Sequence, residues 1–190
     1  MSLWKSIVEI DGRKGRIMRL ETTRLVLRQL TPVDGPALLA IWGDADTMRF
    51  YPRALSAAEV EEWLARQIAR YPGGTGLLAM ELRENGALVG DCGPVWQEVG
   101  GVQELEIGYH VHRDFQNRGL ATEAARAVRA YAFGSLGCDH VISLIRPENG
   151  PSRRVAEKNG FRVDRVVFWR GYDHCVYRSD CDGVEGRVAR

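Results

Sequence analysis

The sequence predicts an α/β (α+β) protein with a mixed, mostly antiparallel central sheet of about seven strands, flanked by about four helices. Three observations support this fold class. Segments that alternate apolar and polar residues, the period of a strand, recur along the whole chain. Short glycine-containing turns join several of these segments, which favours antiparallel neighbours. One long amphipathic helix separates two strand segments, which predicts one parallel pair.

The composition is that of one ordinary globular domain. The chain has 190 residues, of which 45% are hydrophobic and 27% charged, and this length suffices for a sizeable core. We expect residues 1–20 to form a flexible lead-in, residues 21–180 a single domain and residues 181–190 a tail. The net charge of +1 argues against nucleic acid as the main partner. No apolar run approaches the roughly 18 residues of a membrane helix, so no membrane partner is expected.

The cysteines indicate the compartment. Cys92, Cys138, Cys175 and Cys181 show no paired spacing, which is typical of reduced thiols and not of a disulfide framework or a zinc site. The first residues also lack the continuous apolar core of a secretory signal. We therefore predict a cytoplasmic protein without a metal.

The strands are predicted from alternation, and their ends from turn residues. Asn85 and Gly86 form a hairpin signal, and residues 96–101 are predicted to be a second turn. In chain order, the expected strands cover residues 24–30, 76–82, 87–92, 104–111, 140–145, 162–169 and 174–179.

Capping residues and apolar stripes predict the helices. Thr31, followed by Pro32, is typical of a helix start. Ser56 and Glu59 have the spacing of a capping box at the start of a second helix. Two further helices are expected over residues 119–133 and 151–158.

The most informative stretch is residues 104–133, which is predicted to be a strand, a turn and a long helix. The turn, residues 116–121, offers consecutive backbone N–H groups at the positive end of the helix dipole. Gly119 leaves room for close approach, and Arg118 adds positive charge. This combination predicts a site for a diphosphate.

Within this turn, Gln116-x-x-Gly119-x-Ala121 resembles the Q/R-x-x-G-x-G/A signature of the GNAT family of N-acetyltransferases. The family places this signature between a central strand and a long helix, as predicted here. It also places an asparagine and a short helix after the next strand, where Asn149 and residues 151–158 fit. Ala121 stands in place of the usual second glycine.

The similarity covers about residues 24–178 and is strongest to the branch that includes ribosomal-protein N-terminal (alanine) acetyltransferases. It implies the GNAT fold, with a splay between two parallel central strands, and it leaves a homodimer open. The segments that carry it are Thr23-Arg24-Leu25-x-Leu27-Arg28, Ile107-Gly108-Tyr109 and Glu157-Lys158-Asn159-Gly160-Phe161.

The resemblance implies acetyl-CoA as cosubstrate. Its pantetheine arm would lie in the splay and pair with the central strand like an added strand. For Asn149, a plain turn residue is the alternative, because asparagine is favoured in turns. The expected cofactor-binding residues are Tyr109, His110, Val111, Gln116, Asn117, Arg118, Gly119, Leu120, Ala121, Thr122 and Asn149.

Two residues are candidates for catalysis. Glu106 is the expected base, acting directly or through a water, because a lysine amine has a pKa of about 10.4 and an α-amine about 8, so the acceptor must lose a proton before attack. Its alternative is a surface ion pair with an arginine, the role that we favour for Glu104. Ser152 stands where this branch often has a residue that protonates the CoA thiolate. Helix N-capping is the alternative for Ser152.

Two histidines have open roles. His110 could shuttle a proton, although its backbone role is preferred, and His174 could line the acceptor site or be an ordinary strand histidine. Specificity is expected to reside in two loops, residues 42–56 and 171–174. The first loop includes the aromatic residues Trp42, Phe50 and Tyr51.

The predicted function is direct transfer of an acetyl group from acetyl-CoA to a primary amine in a ternary complex. The acceptor would be the α-amine of a protein or a small-molecule amine. The alternative is a non-catalytic acyl-CoA-binding or regulatory module, which would bind the cofactor without turnover.

Overall fold

The structure, a computed structural model, describes residues 19–181, which form one eight-stranded sheet and four α-helices. The strands are β1 (Arg19–Glu21), β2 (Leu25–Gln29), β3 (Leu78–Leu82), β4 (Leu88–Val99), β5 (Val102–Val111), β6 (His140–Ile145), β7 (Arg162–Trp169) and β8 (Tyr172–Asp180). The helices are α1 (Gly35–Trp42), α2 (Ala57–Ile68), α3 (Leu120–Gly134) and α4 (Gly150–Lys158).

The strand order is β1-β2-β3-β4-β5-β6-β8-β7, and β5 and β6 are its one parallel pair of neighbours among the described strands. The predicted fold class, with a mostly antiparallel sheet and a crossover helix between two parallel strands, is therefore confirmed. Helix α3 makes this crossover and packs on β4 and β5, while α1 and α2 pack against each other.

The edge strand β1 is a difference from the prediction. Residues 19 and 20 were expected in the lead-in, but they belong to β1, which pairs with β2 in the register Leu20↔Leu27. Leu20 is buried, so its side chain adds to the core. The rest of the lead-in and residues 182–190 of the tail lie outside the described residues, and the division into lead-in, domain and tail stays a prediction.

The hairpin between β4 and β5 is longer than predicted. Strand β4 does not end at Cys92 but continues to Val99, so the turn predicted over residues 96–101 was too long. Only Gly100 and Gly101 form the turn, both with positive φ (60° and 81°). Two successive residues of positive φ match the twist of an antiparallel hairpin. The ladder therefore closes at Val99↔Val102.

The parallel neighbours β5 and β6 share one registered pair, Glu106↔Ile142. Beyond it, side chains replace the backbone ladder. Ser143 Oγ donates to the carbonyl oxygen of Ile107 (2.9 Å), and the N–H of Leu144 donates to a carboxylate oxygen of Glu106 (3.4 Å). A ladder that stops after one pair is the splay implied by the family resemblance.

Two features of the described residues concern membrane association and cysteine pairing. None of the helices in residues 19–181 has the length and apolar character needed to cross a membrane. All four cysteines are free thiols, and Cys92 is buried.

Candidate active site

A cavity of about 280 Å³ lies at the splayed end of β5. Its walls come from the connection between α1 and α2, from β5 and the turn that follows, and from α4. Every expected cofactor-binding residue except Arg118 lines it, and Ser152 does so as well. The full lining is Thr47, Arg49, Phe50, Tyr51, Tyr109, His110, Val111, Phe115, Gln116, Asn117, Gly119, Leu120, Ala121, Thr122, Asn149, Pro151, Ser152, Arg154, Val155 and Lys158.

The turn before α3 has the conformation of an anion site. Asn117 and Gly119 both have positive φ, 60° and 77°, and Gly119 is the N-cap of α3. Asparagine and glycine are the residues that adopt this region most readily. The first N–H groups of a helix have no partner within the helix, and the helix dipole makes that end positive. The turn can therefore bind a negatively charged group through its backbone.

The side chain of Arg118 lies outside the cavity lining, so its predicted direct contribution of charge is not supported. Its guanidinium donates to the carbonyl of Asp114 (2.8 Å) and stacks over the ring of Phe115. Two other basic residues do line the cavity, Arg154 and Lys158. They were missed, although their spacing of four residues on α4 puts them on one helix face.

The turn is tied to the N-terminal strand through Arg24. Its guanidinium donates to the carbonyl of Arg118 (2.8 Å) and to the carboxylate of Glu123 in the first turn of α3 (2.7 Å). Burial opposes ionisation of Glu123, but hydrogen bonds from Thr22 and Arg24 outweigh it and hold the pKa of Glu123 below its usual range. Arg24, which belongs to the N-terminal segment that carries the family resemblance, thus holds this turn in position.

Glu106 lies at the point where β5 and β6 diverge, although it is not among the residues that line the cavity. Its carboxylate accepts from the side-chain amide of Gln97 (2.7 Å) and from the N–H of Leu144 (3.4 Å). Burial raises the pKa of Glu106, and these hydrogen bonds from neutral donors only partly offset that effect. A carboxylate of raised pKa is a better proton acceptor near neutral pH.

Glu104 forms an ion pair with an arginine, as predicted, but its carboxylate is buried and does not lie at the surface. It is 4% exposed and accepts from Arg165 (2.6 Å) and His140 (2.8 Å). Burial alone would raise its pKa, yet Arg165 and His140 lower the pKa of Glu104 below the usual range. The predicted position of this ion pair at the surface was therefore wrong, because a buried charge is tolerated when it is paired.

Asn149 and Ser152 share the start of α4. Asn149 is its N-cap and accepts from the N–H of Ser152 (3.1 Å) through its side-chain oxygen. The N-capping alternative for Ser152 is therefore wrong, because Asn149 holds that position. The capping bond occupies only the oxygen of Asn149. Tyr109 links β5 to the same helix, since its hydroxyl donates to the carbonyl of Ser152 (2.9 Å).

A hydrogen-bonded chain behind the cavity was missed. Nδ1 of His110 bonds to Asp91 (2.8 Å), and Nε2 lies 2.5 Å from the hydroxyl of Tyr51. The indole N–H of Trp42 donates to the second oxygen of Asp91 (2.8 Å). A signal was present in the Gly100-Gly101 turn, since a two-residue hairpin loop sets the register that places Asp91 opposite His110.

Of the other residues considered for the acceptor site, some line the cavity and some do not. Phe50 and Tyr51 line the cavity, whereas Trp42 is buried beside it. His174 is buried on β8, and its Nδ1 bonds to the carbonyl of Tyr172 (3.1 Å), so it is placed as an ordinary strand histidine. Burial lowers the pKa of His174. Within residues 19–181, no group of three or more His, Cys, Asp or Glu side chains is arranged to hold a metal ion.

Fold and site together define an acyl-transfer scaffold, and comparison with known proteins identifies its family. Residues 24–162 match the family profile described as an acetyltransferase (GNAT) domain. The chain therefore belongs to the GNAT family of acetyltransferases, and the resemblance inferred from the sequence is confirmed.

Similar proteins agree with this assignment. The Bacillus subtilis protein YkkB is 32% identical over 151 residues, which cover 78% of this chain and 88% of YkkB. The "uncharacterized N-acetyltransferase YnaD" of the same organism is 29% identical over 150 residues, 76% of this chain and 83% of YnaD. An acetyltransferase from Agrobacterium tumefaciens has a solved structure of TM-score 0.76 at 29% identity, covering 90% of this chain and all of that chain.

A more distant structure shares the fold alone. The ribosomal L7/L12 α-N-protein acetyltransferase RimL, solved in complex with coenzyme A, has a TM-score of 0.69 at 17% identity. The alignment covers 85% of this chain and 96% of RimL.

Proposed function

We propose that this protein transfers the acetyl group of acetyl-CoA directly to a primary amine in a ternary complex. One observation carries the proposal. A single cavity brings together the splayed end of β5, the left-handed turn at the start of α3 and the capped start of α4. These three features are distant in sequence, and each suits a different part of a CoA thioester.

The diphosphate would lie on residues 117–122, where backbone N–H groups point outward at the positive end of α3. Arg154 and Lys158 line the same cavity and would add positive charge. The pantetheine arm would pair with residues 109–111, and Asn149 would bind one of its amides. A hydrogen bond to a charged group contributes about 1.5–3 kcal/mol, and micromolar affinity corresponds to about −8 kcal/mol. Three or four such bonds to the phosphates would therefore supply most of the free energy of CoA binding.

In the reaction, the nitrogen of the amine attacks the acetyl carbon, a C–N bond forms and the C–S bond breaks. Glu106 is the base that removes a proton from the amine nitrogen, directly or through a water, a role that its raised pKa supports. Free N–H groups of β5 would polarise the thioester carbonyl. Ser152 would donate a proton to the departing thiolate, and it is helpful without being indispensable because a thiol pKa is about 8.5.

The acceptor is proposed as the α-amine of a protein or a small-molecule amine. Support for the first comes from the fold shared with RimL, a ribosomal L7/L12 α-N-protein acetyltransferase. A screen of both classes with acetyl-CoA, read as release of free thiol, would distinguish them. Binding of CoA without turnover of any amine would favour a non-catalytic acyl-CoA-binding module instead.

The binding site is tested by calorimetry with CoA on a matched pair of glycine variants. Gly119→Glu introduces a negative charge at the proposed diphosphate site, in a residue of φ 77°. Gly137→Glu introduces the same charge at φ 70° in an exposed loop with no atom near its Cβ, so its backbone strain is comparable. We expect Gly119→Glu to weaken CoA binding by at least about tenfold, which is 1.4 kcal/mol, and Gly137→Glu to bind like the parent. Unchanged affinity of Gly119→Glu, or no heat with the parent, would contradict the proposal.

A further inference from the structure

A continuous hydrogen-bonded chain leads from a fully buried carboxylate to the cavity. Asp91 is 0% exposed, and both of its carboxylate oxygens have a donor, from Trp42 and from His110. The imidazole of His110 also packs against the indole of Trp42, with ring centroids 4.1 Å apart. The imidazole is therefore held in one orientation. Tyr51 completes the chain, and it lines the cavity with a ring that is 41% exposed.

The bonds determine where the protons lie. An ionised carboxylate only accepts hydrogen bonds, so Nδ1 of His110 must carry the proton that bonds to Asp91. In the neutral imidazole Nε2 is then an acceptor, and the hydroxyl of Tyr51 donates to it. Since the hydroxyl proton points towards His110, the Tyr51 oxygen has lone pairs free to accept a proton from a molecule in the cavity.

We propose that Tyr51 and His110 form a proton relay that deprotonates the acceptor ammonium, with Asp91 stabilising the imidazolium that results. This inference rests on the proposed acetyl transfer, and it assigns Tyr51, His110 and Asp91 to the deprotonation of the acceptor. Tyr51 is the group that contacts the acceptor, whereas Asp91 acts through His110 as a positioning residue.

The proton balance calls for two acceptors. An ammonium nitrogen carries three protons and the amide product carries one, so two protons leave the nitrogen. The first N–H proton moves to the Tyr51 oxygen while the proton of Tyr51 moves to Nε2 of His110. The neutral amine then attacks the acetyl carbon. Glu106 takes the second proton as the C–N bond forms and the C–S bond breaks. Ser152 protonates the departing thiolate and regains a proton from solvent, and Glu106 releases its proton to solvent. The imidazolium returns its proton to solvent.

The surroundings suit such a relay. The charged groups that face His110 are Asp91 on β4 and Glu106 on its own strand. Although Tyr51 as a whole residue is partly exposed, burial of its hydroxyl and the charges of Glu106 and Asp91 raise the pKa of Tyr51. A phenolate is therefore disfavoured, so Tyr51 must pass a proton on as it receives one. Glu106 lies outside the cavity lining, whereas Tyr51 and His110 both line it.

The test compares acceptor amines of different pKa. At pH 7 the neutral fraction of a lysine-type amine of pKa about 10.4 is about 0.04%, whereas that of an α-amine of pKa about 8 is about 10%. For Tyr51→Phe and His110→Gln we expect kcat/KM to fall by about 10²-fold or more with the lysine-type amine. The loss should be at least about tenfold smaller with the α-amine. Glu106→Gln should instead lose the same factor with both, since its proton is released after attack.

A purely structural role of the chain predicts equal losses for both amines, and that result would overturn the relay while leaving acetyl transfer intact. CoA affinity of each variant, measured by calorimetry, shows whether the cavity is preserved. Turnover of no amine by the parent would overturn the proposed function and the relay together.

A second measurement does not depend on turnover. In the ¹⁵N-labelled parent, the ring signals of His110 are assigned by their absence in His110→Gln. We expect a proton on Nδ1 and a bare Nε2 at neutral pH, and loss of this preference in Asp91→Asn. A proton on Nε2 in the neutral imidazole would overturn the relay, because Nε2 could then not accept from Tyr51.

Discussion

Glu104 and Glu106 lie two residues apart on one face of β5 and have opposite surroundings. Glu104 is buried and accepts from the guanidinium of Arg165 and the imidazole of His140. Glu106 accepts from neutral donors, a side-chain amide and a backbone N–H. The same residue type on the same strand is therefore held by ion pairs in one case and by uncharged groups in the other.

This difference separates a structural carboxylate from a reactive one. Burial tends to raise the pKa of both residues, because it disfavours the charged form. At Glu104 the hydrogen bonds from Arg165 and His140 outweigh burial and the pKa is lowered, whereas at Glu106 burial prevails and the pKa is raised. Glu104 therefore stays an anion that holds strands together, and Glu106 keeps an affinity for protons that a base requires.

The largest expected effect is on catalysis. Glu106→Gln keeps the size and an accepting oxygen of the side chain but cannot take a proton. We expect kcat/KM for acetyl transfer to fall by about 10²–10⁴-fold, with CoA affinity unchanged, measured by thiol release and calorimetry. Glu104→Gln is the matched control and should keep its activity. Equal losses in the two variants would contradict the assigned difference.

For stability we expect the reverse order, with a larger effect of Glu104→Gln than of Glu106→Gln. Glu104→Gln removes the negative charge that pairs with Arg165 and accepts from His140, and Arg165 is partly exposed, so water can compensate in part. We expect the free energy of unfolding to fall by about 1–3 kcal/mol, measured with denaturant. Glu106→Gln should change the free energy of unfolding less, since the groups that donate hydrogen bonds to Glu106 are neutral. A greater destabilisation by Glu106→Gln would be inconsistent with the two environments.

A subtler change acts on the donor to Glu106. Gln97→Leu removes a hydrogen bond that favours the ionised form, so the pKa of Glu106 should rise further. The acidic limb of the pH profile of kcat/KM should therefore move to higher pH. Glu98→Gln changes an exposed residue next to Gln97 on the same strand and serves as the control. A shift to lower pH would disprove the role of Gln97.

The smallest effect is on the pH dependence of stability, and its sign differs between the two residues. The folded pKa of Glu104 is lowered, so its contribution is present above the ordinary value of 4.5 and is lost as pH falls through the folded pKa. The folded pKa of Glu106 is raised, so its contribution is present below 4.5 and is lost as pH rises through the folded pKa. Denaturation over a pH series should show destabilisation by Glu104→Gln shrinking in acid. Glu106→Gln should gain stability relative to the parent as pH rises. If the free energies of unfolding of parent and variants change in parallel with pH, both assignments are refuted.

Much of the fold was predictable because it depends on local signals. Alternation identified β5, and helical spacing with Gly119 identified the start of α3. By contrast, β1 has three residues, too few to show a period. The far end of β4 was missed because Gly93 and Pro94 interrupt the strand pattern directly after Cys92, and a proline argues against a central strand.

The site was predictable where backbone conformation makes it, and less so where side chains do. Residues 116–122 were identified from the turn, but the side chain of Arg118 points to Asp114 and Phe115 instead of the cavity. The partner of His110 depends on strand register, and Tyr51 comes from a loop whose path no local pattern indicates.

The sequence by itself determined the strand, turn and helix of the cofactor site and the family to which the chain belongs, because these depend on neighbours along the chain. Only the tertiary structure decided which charges meet. Arg165 reaches Glu104 from 61 residues away, and Asp91 reaches His110 across 19 residues. Proton affinity depends on distances in space and on burial, so the chemical difference between two glutamates on one strand arises only when the chain is folded.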